Sequence, residues 1–219
     1  MQKRPPVGGE VHGGVPICWP WFGAPPKEGL PKHGLARDGR WRVVRHVGET
    51  GVVMEMVSTP ETMRLWPHAF RLEATTELVS EDIVRITFTE ENTGREPFSS
   101  AWGFHPYFAV SSAPDVALDG RRLPRPLVKE AFPSDGKAHV LKDLVTGRAF
   151  TLSCSDNREW LVWNPGVENT PLCETLDADE WKGFYCLEPC TRTPQPLGPG
   201  ERRTHELNIR VDLCPQTML

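Results

Sequence analysis

Two titratable side chains, Glu188 and His105, lie in apolar surroundings that are expected to shift their pKa values. Glu188 follows the apolar segment 184–187 and precedes Pro189, and a glutamate there is either desolvated, with a raised pKa, or paired. His105 lies in the aromatic segment 102–108, where an imidazole must be hydrogen-bonded or left unsatisfied. Both side chains could transfer protons, although a solvated glutamate and a satisfied core histidine are the commoner readings of the residues alone.

A second informative stretch, residues 12–37, reads HGGVPICWPWFGAPPKEGLPKHGLAR. Its many Gly and Pro residues disfavour the interior of a regular helix or strand. The stretch nevertheless carries large rings at Trp19, Trp21 and Phe22, so we expect a stiff loop that lines a concave surface. We predict that one of these rings lies in a binding site and that the others lie in the core.

The elements that must position these residues are predicted to be short β-strands. Apolar and polar residues alternate with period two over residues 70–78, 84–88 and 207–213, which is typical of strands with one buried face. Residues 41–47 and 51–59 are expected to form a strand pair over a short turn. This pattern predicts an all-β protein, an antiparallel β-sandwich.

The remaining segments are less regular. Residues 148–154 and 160–163 are predicted to be further short strands, and residues 60–65 one helical turn with Thr59 as its N-cap. Residues 109–140 are charged and weakly patterned, and we expect a long excursion there with one or two edge strands.

Length and charge exclude several classes of protein. The 219 residues are consistent with one domain over 1–219, and the net charge of -4 does not favour nucleic acid or membrane surfaces as partners. No apolar run reaches the length of a membrane span, and the first ten residues lack a secretory signal. We therefore expect a cytoplasmic protein.

The six cysteines are scattered through a chain that does not need disulfides to fold. Cys186 and Cys190 could belong to a metal site, but no second cysteine pair or histidine pair at ligand spacing accompanies them. Reduced and mostly buried thiols are the favoured interpretation, and no metal is predicted.

Taken together, the motifs GGVPICWPWFG, HGLAR, HPYF and CLEP closely resemble the hexose-6-phosphate mutarotase branch of the aldose 1-epimerase family. The resemblance extends over about residues 11–211. It implies a large antiparallel β-supersandwich, galactose mutarotase-like, with a sugar site in a concave sheet face. It also implies an isomerase that interconverts the α- and β-anomers of an aldohexose 6-phosphate, such as glucose 6-phosphate, without a cofactor.

The resemblance assigns roles to three side chains. Glu188, in CLEP, corresponds to the general base, which removes the proton of the C1 hydroxyl. His105, in HPYF, corresponds to the general acid, which protonates the ring oxygen, and we expect the two groups on opposite sides of the sugar ring. His33, in HGLAR, corresponds to a histidine at the reacting end of the sugar, with a loop-bracing role as the alternative.

Phosphate recognition is where the chain departs from the family pattern. Arg37 could bind a phosphate through its fork of N–H donors. The family's second phosphate-contacting arginine is His12 here, so we expect weaker phosphate binding or help from other cations, listed here as candidates: Lys32, Arg40 and Arg71. An unphosphorylated aldose is therefore the first alternative substrate.

Three further residues are candidates for contacts with the sugar. Trp21 could stack on a pyranose, and Asn164, in a WNP turn, could bond sugar hydroxyls or only structure the next loop. Asp177 lies in an acidic stretch that resembles one in the family, with a solvated loop as the alternative. The expected partner is thus a small-molecule sugar or sugar phosphate.

Family members usually carry several more strands before the first motif. We therefore expect a fold that lacks the usual N-terminal strands, with residues 1–10 irregular or truncated, and an open sheet edge that could pair with another chain. A monomer or weak homodimer is the predicted assembly. A non-catalytic sugar-binding protein is the alternative function, and a glycoside hydrolase is disfavoured because only one carboxylate is placed by a motif.

Overall fold

The computed structural model of the chain describes residues 12–123, 129–173 and 175–212, and its strands form two antiparallel β-sheets. The segment 1–10, predicted to be irregular or truncated, lies outside the described residues. The strands, in chain order, are β1 (Ile17–Cys18), β2 (Arg42–Val47), β3 (Gly51–Val57), β4 (Phe70–Ser80), β5 (Ile83–Asn92), β6 (Phe98–Phe104), β7 (Tyr107–Ala109), β8 (Val116–Leu118), β9 (Arg121–Arg122), β10 (Lys129–Pro133), β11 (His139–Asp143), β12 (Ala149–Cys154), β13 (Glu159–Trp163), β14 (Phe184–Leu197) and β15 (Arg202–Asp212).

The two sheets have different roles. The larger has the order β2-β3-β4-β5-β15-β12-β11-β8-β9, and the smaller has the order β1-β6-β14-β13-β10, with β7 also paired to β14. Two short α-helices, α1 (Pro60–Leu65) and α2 (Gly166–Asn169), and short 3-10 turns connect the strands. The predicted antiparallel β-sandwich is therefore confirmed, and the smaller sheet is the one that carries Glu188.

The apolar residues of the two sheets form one hydrophobic cluster between them. In β4 and β5 the residues predicted to face inward are buried at Phe70, Leu72, Ile86 and Phe88. Leu78 is on the same face of β4 as Phe70 and Leu72, but its side chain is 44% exposed because β4 continues beyond the edge of the core. Burial of such side chains contributes roughly 1.5–3 kcal/mol each, which is the main source of stability for a fold of this kind.

Several local predictions are confirmed. The strand pair β2–β3 is antiparallel, and α1 begins after Thr59, whose side chain caps the helix with Pro60 at its start. Residues 109–140 contain more strands than the one or two edge strands predicted there. This stretch contains β8, β9, β10 and the first residues of β11, and β8 lies inside the larger sheet between β11 and β9. These strands are too short to show a period.

The strand β2 forms one end of the larger sheet and is exposed along nearly its whole length. Pairing of this edge with another chain stays a prediction, as does the single domain over 1–219. Within the part of the chain that the structure describes, no helix is long and apolar enough to cross a membrane. The cysteines in that part are free thiols.

The Gly- and Pro-rich segment folds back on itself and is held at Trp19. The carbonyl oxygen of Trp19 accepts the backbone N–H groups of Leu35 at 2.6 Å and Ala36 at 3.1 Å. Gly34 immediately precedes Leu35, with φ of 85°, and a Cβ atom on it would come within 2.1 Å of the same oxygen. Only glycine fits there, because the position combines a left-handed backbone with a close approach of two chain segments.

We predict that Gly34→Ala destabilises the protein by at least about 2 kcal/mol, because the methyl group must displace backbone. Gly183→Ala is the matched control, since a Cβ atom at Gly183 has no heavy atom within 4 Å. Urea unfolding followed by tryptophan fluorescence measures both variants. Equal midpoints for the two alanine variants would contradict this account of the turn.

Candidate active site

A cavity of about 160 Å³ lies over one face of the smaller sheet. Its wall combines side chains from the Gly- and Pro-rich segment, from the β6–β7 connection, and from β10, β13 and β14. These side chains are His12, Phe22, Lys32, His33, Arg37, His105, Tyr107, Lys129, Leu161, Trp163 and Glu188. The structure thus brings together residues that are far apart in the sequence, among them both predicted proton-transfer groups.

Glu188 is positioned by β14, which is paired on both sides. Its backbone is opposite Leu161 of β13, and β14 also pairs with β6 and β7. The side chain is 2% exposed, and burial raises the pKa of the carboxyl group to about 8, although Lys129 and Arg37 oppose this shift. Of the two predicted interpretations, desolvation is therefore the one observed. A group with this pKa can give and accept a proton near neutral pH.

His105 follows the last residue of β6 and is held by its backbone N–H, which donates to the carbonyl of Pro16 at 2.9 Å. Its ring stacks between Phe22 and Tyr107, with centroid distances of 6.2 Å and 4.9 Å. The Nε2 atom lies 3.5 Å from Oε1 of Glu188. Burial, with the charges of neighbouring cations, holds the pKa of His105 well below its usual value. The imidazole is therefore neutral near pH 7.

The short distance between His105 and Glu188 corrects one expectation. The two groups were predicted on opposite sides of a sugar ring, but a ring cannot fit between atoms 3.5 Å apart. They lie side by side instead. The C1 hydroxyl and the ring oxygen of a pyranose are bonded to the same carbon, so a side-by-side pair can reach both oxygens from one edge of the sugar.

His33 lies at the other side of His105, with the two rings 5.1 Å apart and nearly perpendicular. Its Nδ1 atom is 3.3 Å from the backbone N–H of Gly23 and 3.4 Å from Sγ of Cys18. Burial lowers the pKa of His33 to about 3, so the ring is neutral. Because Nδ1 accepts the N–H of Gly23, the proton belongs on Nε2. His33 thus both braces the loop and lines the cavity.

Phe22 is the ring of the aromatic segment that reaches the cavity. It packs on Gly103 of β6, where a Cβ atom would lie 2.5 Å from the phenyl ring. Trp19 lies in the core, and Trp21 is buried with its indole N–H donating to the carbonyl of Pro31. Phe22 is thus the ring that lines the cavity, whereas Trp21, the ring expected there, is not part of the wall.

The predicted cations divide into two groups. Lys32 and Arg37 line the cavity, and Nη2 of Arg37 is 3.4 Å from the hydroxyl of Tyr107. Arg40 lines a separate groove beside α1. Arg71 is on the larger sheet, where it forms ion pairs with glutamates, among them Glu55 at 2.5 Å. Arg40 and Arg71 therefore cannot help to bind a ligand in this cavity.

His12 lines the cavity, as predicted, and is held in place by its neighbours. Its Nδ1 atom is 2.7 Å from Oγ1 of Thr175, and its ring stacks on Trp163 with the planes at 24°. His12 and Tyr107 also line a second, adjacent cavity of about 540 Å³. His12 thus lies between the two cavities, and its side chain carries no permanent charge.

Two predicted contacts are not brought to the cavity. The side chain of Asn164 donates to the carbonyls of Trp181 and Phe184 and accepts the N–H of Gly166, so its polar atoms organise the loop after β13. Asp177 lies in the loop beyond that and is not part of either cavity wall. For Asn164 the structural alternative is the one observed.

Sequence reasoning missed four residues of the wall: Tyr107, Lys129, Leu161 and Trp163. Tyr107 and Trp163 were visible within the HPYF and WNP motifs but were not given a role. Lys129 had no signal, because it comes from the weakly patterned stretch and reaches the cavity only through the pairing of β10 with β13.

One group of side chains could hold a metal ion. Within the described residues, the ligand atoms of His105, Cys186 and Glu188 lie within 4.8 Å of one another. Burial raises the pKa of the Cys186 thiol well above its usual value, so a cation would first have to displace the thiol proton.

The fold defines the class of the protein, an antiparallel β-sandwich of the mutarotase type, and its smaller sheet carries a buried contact between His105 and Glu188. Its structure resembles that of a "putative mutarotase" from Salmonella typhimurium, with a TM-score of 0.86 and 24% identity over 97% of this chain and 78% of the other. It also resembles a galactose mutarotase related enzyme from Lactobacillus acidophilus, with a TM-score of 0.74 and 15% identity over 94% and 85%.

Sequence comparison identifies the family. The chain matches the aldose 1-epimerase family model over residues 6–124 and belongs to that family. It is 29% identical to a "putative glucose-6-phosphate 1-epimerase" of Salmonella typhimurium, over 83% of this chain and 68% of the relative. It is 28% identical to a protein of the same name from Escherichia coli, over 83% and 67%.

We predict that Glu188→Gln changes how stability depends on pH. The unfolded chain ionises Glu188 near pH 4.5, whereas the folded protein keeps the proton up to about pH 8, so the folded state binds more protons in this range. The free energy of unfolding contributed by Glu188 therefore falls as pH rises, by at most about 1.4 kcal/mol per pH unit. The glutamine variant lacks this loss.

Urea unfolding of both proteins at about pH 5 and about pH 8 measures the effect. Both proteins carry His33, so a comparison at the same pH cancels its contribution, and the difference between them reports Glu188 together with its neighbour His105. The stability of Glu188→Gln relative to wild type should be greater at the higher pH. A difference that does not vary with pH would show that Glu188 is ionised in the folded protein.

Proposed function

We propose that the protein interconverts the α- and β-anomers of an aldohexose 6-phosphate, with glucose 6-phosphate as the first candidate. The observation that carries the proposal is the 3.5 Å approach of His105 Nε2 to Glu188 Oε1 in the wall of a small cavity. Membership of the aldose 1-epimerase family and the names of the relatives from Salmonella typhimurium and Escherichia coli support it.

Ring opening requires two proton transfers and one bond cleavage. Glu188 takes the proton of the C1 hydroxyl, the freed electron pair forms the C1 carbonyl, and the bond between C1 and the ring oxygen breaks. His105 gives a proton to that ring oxygen. Rotation about the C1–C2 bond presents the other face of the carbonyl, and closure runs the two transfers in reverse.

The pKa values of the pair fit this cycle. Opening starts from the carboxylate–imidazolium form of Glu188 and His105 and leaves the carboxylic acid–imidazole form. The second form is the one that burial favours in the empty cavity, because burial raises the pKa of Glu188 and lowers that of His105. The pair therefore holds one transferable proton in either form, and the 3.5 Å contact allows the proton to move between them.

The charge of the wall favours an anionic sugar. Lys32, Arg37 and Lys129 line the cavity, and Glu188 is the one acidic side chain among the described residues of its wall. A phosphate on the sugar would meet this positive field. The same chemistry on a free aldose is the second candidate, because His12 provides no permanent cation and its Nδ1 is engaged by Thr175.

The assembly and the location remain open to experiment. A monomer or weak homodimer and a cytoplasmic location stay predictions from the sequence, as does the absence of a cofactor.

The non-catalytic alternative, a sugar-binding protein, is disfavoured because a binder has no need of two desolvated, proton-exchanging groups at van der Waals distance.

We predict that wild-type protein accelerates anomer exchange of glucose 6-phosphate, and that His105→Ala and Glu188→Gln each reduce the rate about 10²- to 10⁴-fold, as for loss of one acid–base group. Saturation-exchange NMR of the anomeric protons measures the rate. His46→Ala is the control, because His46 lies on the exposed strand β2 and should leave the rate unchanged.

Glucose is measured in parallel. Acceleration for glucose alone would move the substrate to a free aldose. No acceleration for either sugar, from protein shown to be folded, would overturn the enzymatic proposal.

A further inference from the structure

Lys129 belongs to no motif, yet the fold brings it to the cavity. It is the first residue of β10, and its backbone is opposite Trp163 in the β10–β13 ladder. Residues opposite each other in such a ladder have side chains on the same face of the sheet. Trp163 stacks on His12, and Leu161, two residues before it, is opposite Glu188. Lys129 is therefore on the cavity face of the sheet, beside Trp163, on which the ring of His12 stacks.

The ammonium group of Lys129 is available to a ligand. The residue is exposed, and it forms no ion pair with any residue of the stretches 12–123, 129–173 and 175–212. Its charge acts on the interior of the cavity, since it is the strongest of the charges that oppose the rise in the pKa of Glu188. A flexible lysine at the mouth can reach an anionic group over a range of positions.

The adjacent cavity is a poor alternative for an anion. Its wall contains Asp179, Glu180 and Lys182, and the Lys182 ammonium is already bound to Asp179 at 2.5 Å. That space therefore presents more negative than positive charge. The catalytic cavity presents three cations and one carboxyl group. An anionic substituent on the sugar is thus directed towards the Lys129 side of His12, away from the larger space.

We propose that Lys129 is a specificity-determining residue, whose ammonium group binds the phosphate of the sugar substrate and supplies the permanent cation that His12 cannot. This inference rests on the proposed function. Arg37 and Lys32 complete the positive rim, but Arg37 is also in contact with Tyr107, whereas Lys129 is not engaged by a described side chain. Lys129 then makes the protein bind phosphorylated sugars in preference to free sugars.

Lys129→Met tests the inference, because methionine keeps much of the side-chain length without the charge. We expect KM for glucose 6-phosphate to rise about 10- to 100-fold, as for loss of one charge-assisted contact, with little change in kcat. KM for glucose should stay the same. Lys129→Arg should bring KM for glucose 6-phosphate most of the way back to the wild-type value. The preference of the wild type for glucose 6-phosphate over glucose should weaken with added salt.

Lys182→Met is the matched control, since it removes a cation from the neighbouring cavity. It should leave both sugars unaffected. If Lys182→Met rather than Lys129→Met raises KM for glucose 6-phosphate, the phosphate lies in the neighbouring cavity and the inference is wrong. If Lys129→Met impairs glucose and glucose 6-phosphate equally, Lys129 acts on the proton-transfer pair or on folding, which also overturns the inference.

A binding measurement separates this inference from the proposed function. Calorimetric titration of each variant with glucose 6-phosphate and with glucose gives Kd whether or not the protein is an enzyme. Tighter binding of the phosphate ester by wild type, lost in Lys129→Met, would support the inference even if neither sugar were turned over. Equal affinity of wild type and Lys129→Met for glucose 6-phosphate would overturn it, whatever the result for catalysis.

Discussion

The attachment of Trp19 to the core is the constraint on which the rest of the site depends. Its indole N–H donates to the buried carboxylate of Glu90 at 2.7 Å, and its carbonyl accepts two N–H groups, from Leu35 and Ala36. A segment so rich in Gly and Pro has few backbone hydrogen bonds of its own, and buried polar groups must be paired. This one residue therefore holds the loop on the sheet, and His33 reaches the cavity as a consequence.

Burial of Glu188 and His105 sets the pKa values of the two groups. Glu188 and His105 are both almost inaccessible to solvent, and the same low polarity moves their pKa values in opposite directions, up for Glu188 and down for His105. In water the carboxylate and imidazolium would be well separated in acidity. In the cavity burial favours the carboxylic acid–imidazole form over the carboxylate–imidazolium form.

The sequence predicts the sheets better than it predicts the site. Strand alternation reports burial directly, so the sandwich follows from the periodic segments, whereas His105 and Glu188 were singled out by the resemblance of the HPYF and CLEP motifs to the family. In a loop no period tells which of two neighbouring rings points inward, and the cavity received Phe22 where Trp21 was expected. Lys129 is determined by strand pairing between distant segments, and no local pattern encodes that register.

The positive rim and the proton-transfer pair are not independent. In a hexose 6-phosphate, the carbon that carries the phosphate-bearing arm and the reacting carbon C1 are both attached to the ring oxygen, so the phosphate is held close to the edge of the sugar that reacts. Without ligand, Lys129 and Arg37 lower the pKa of Glu188 and neighbouring cations lower that of His105. A bound phosphate would neutralise these cations and so raise the pKa of His105. Substrate charge would thus help to form the imidazolium that protonates the ring oxygen, which a neutral sugar in the same cavity could not do.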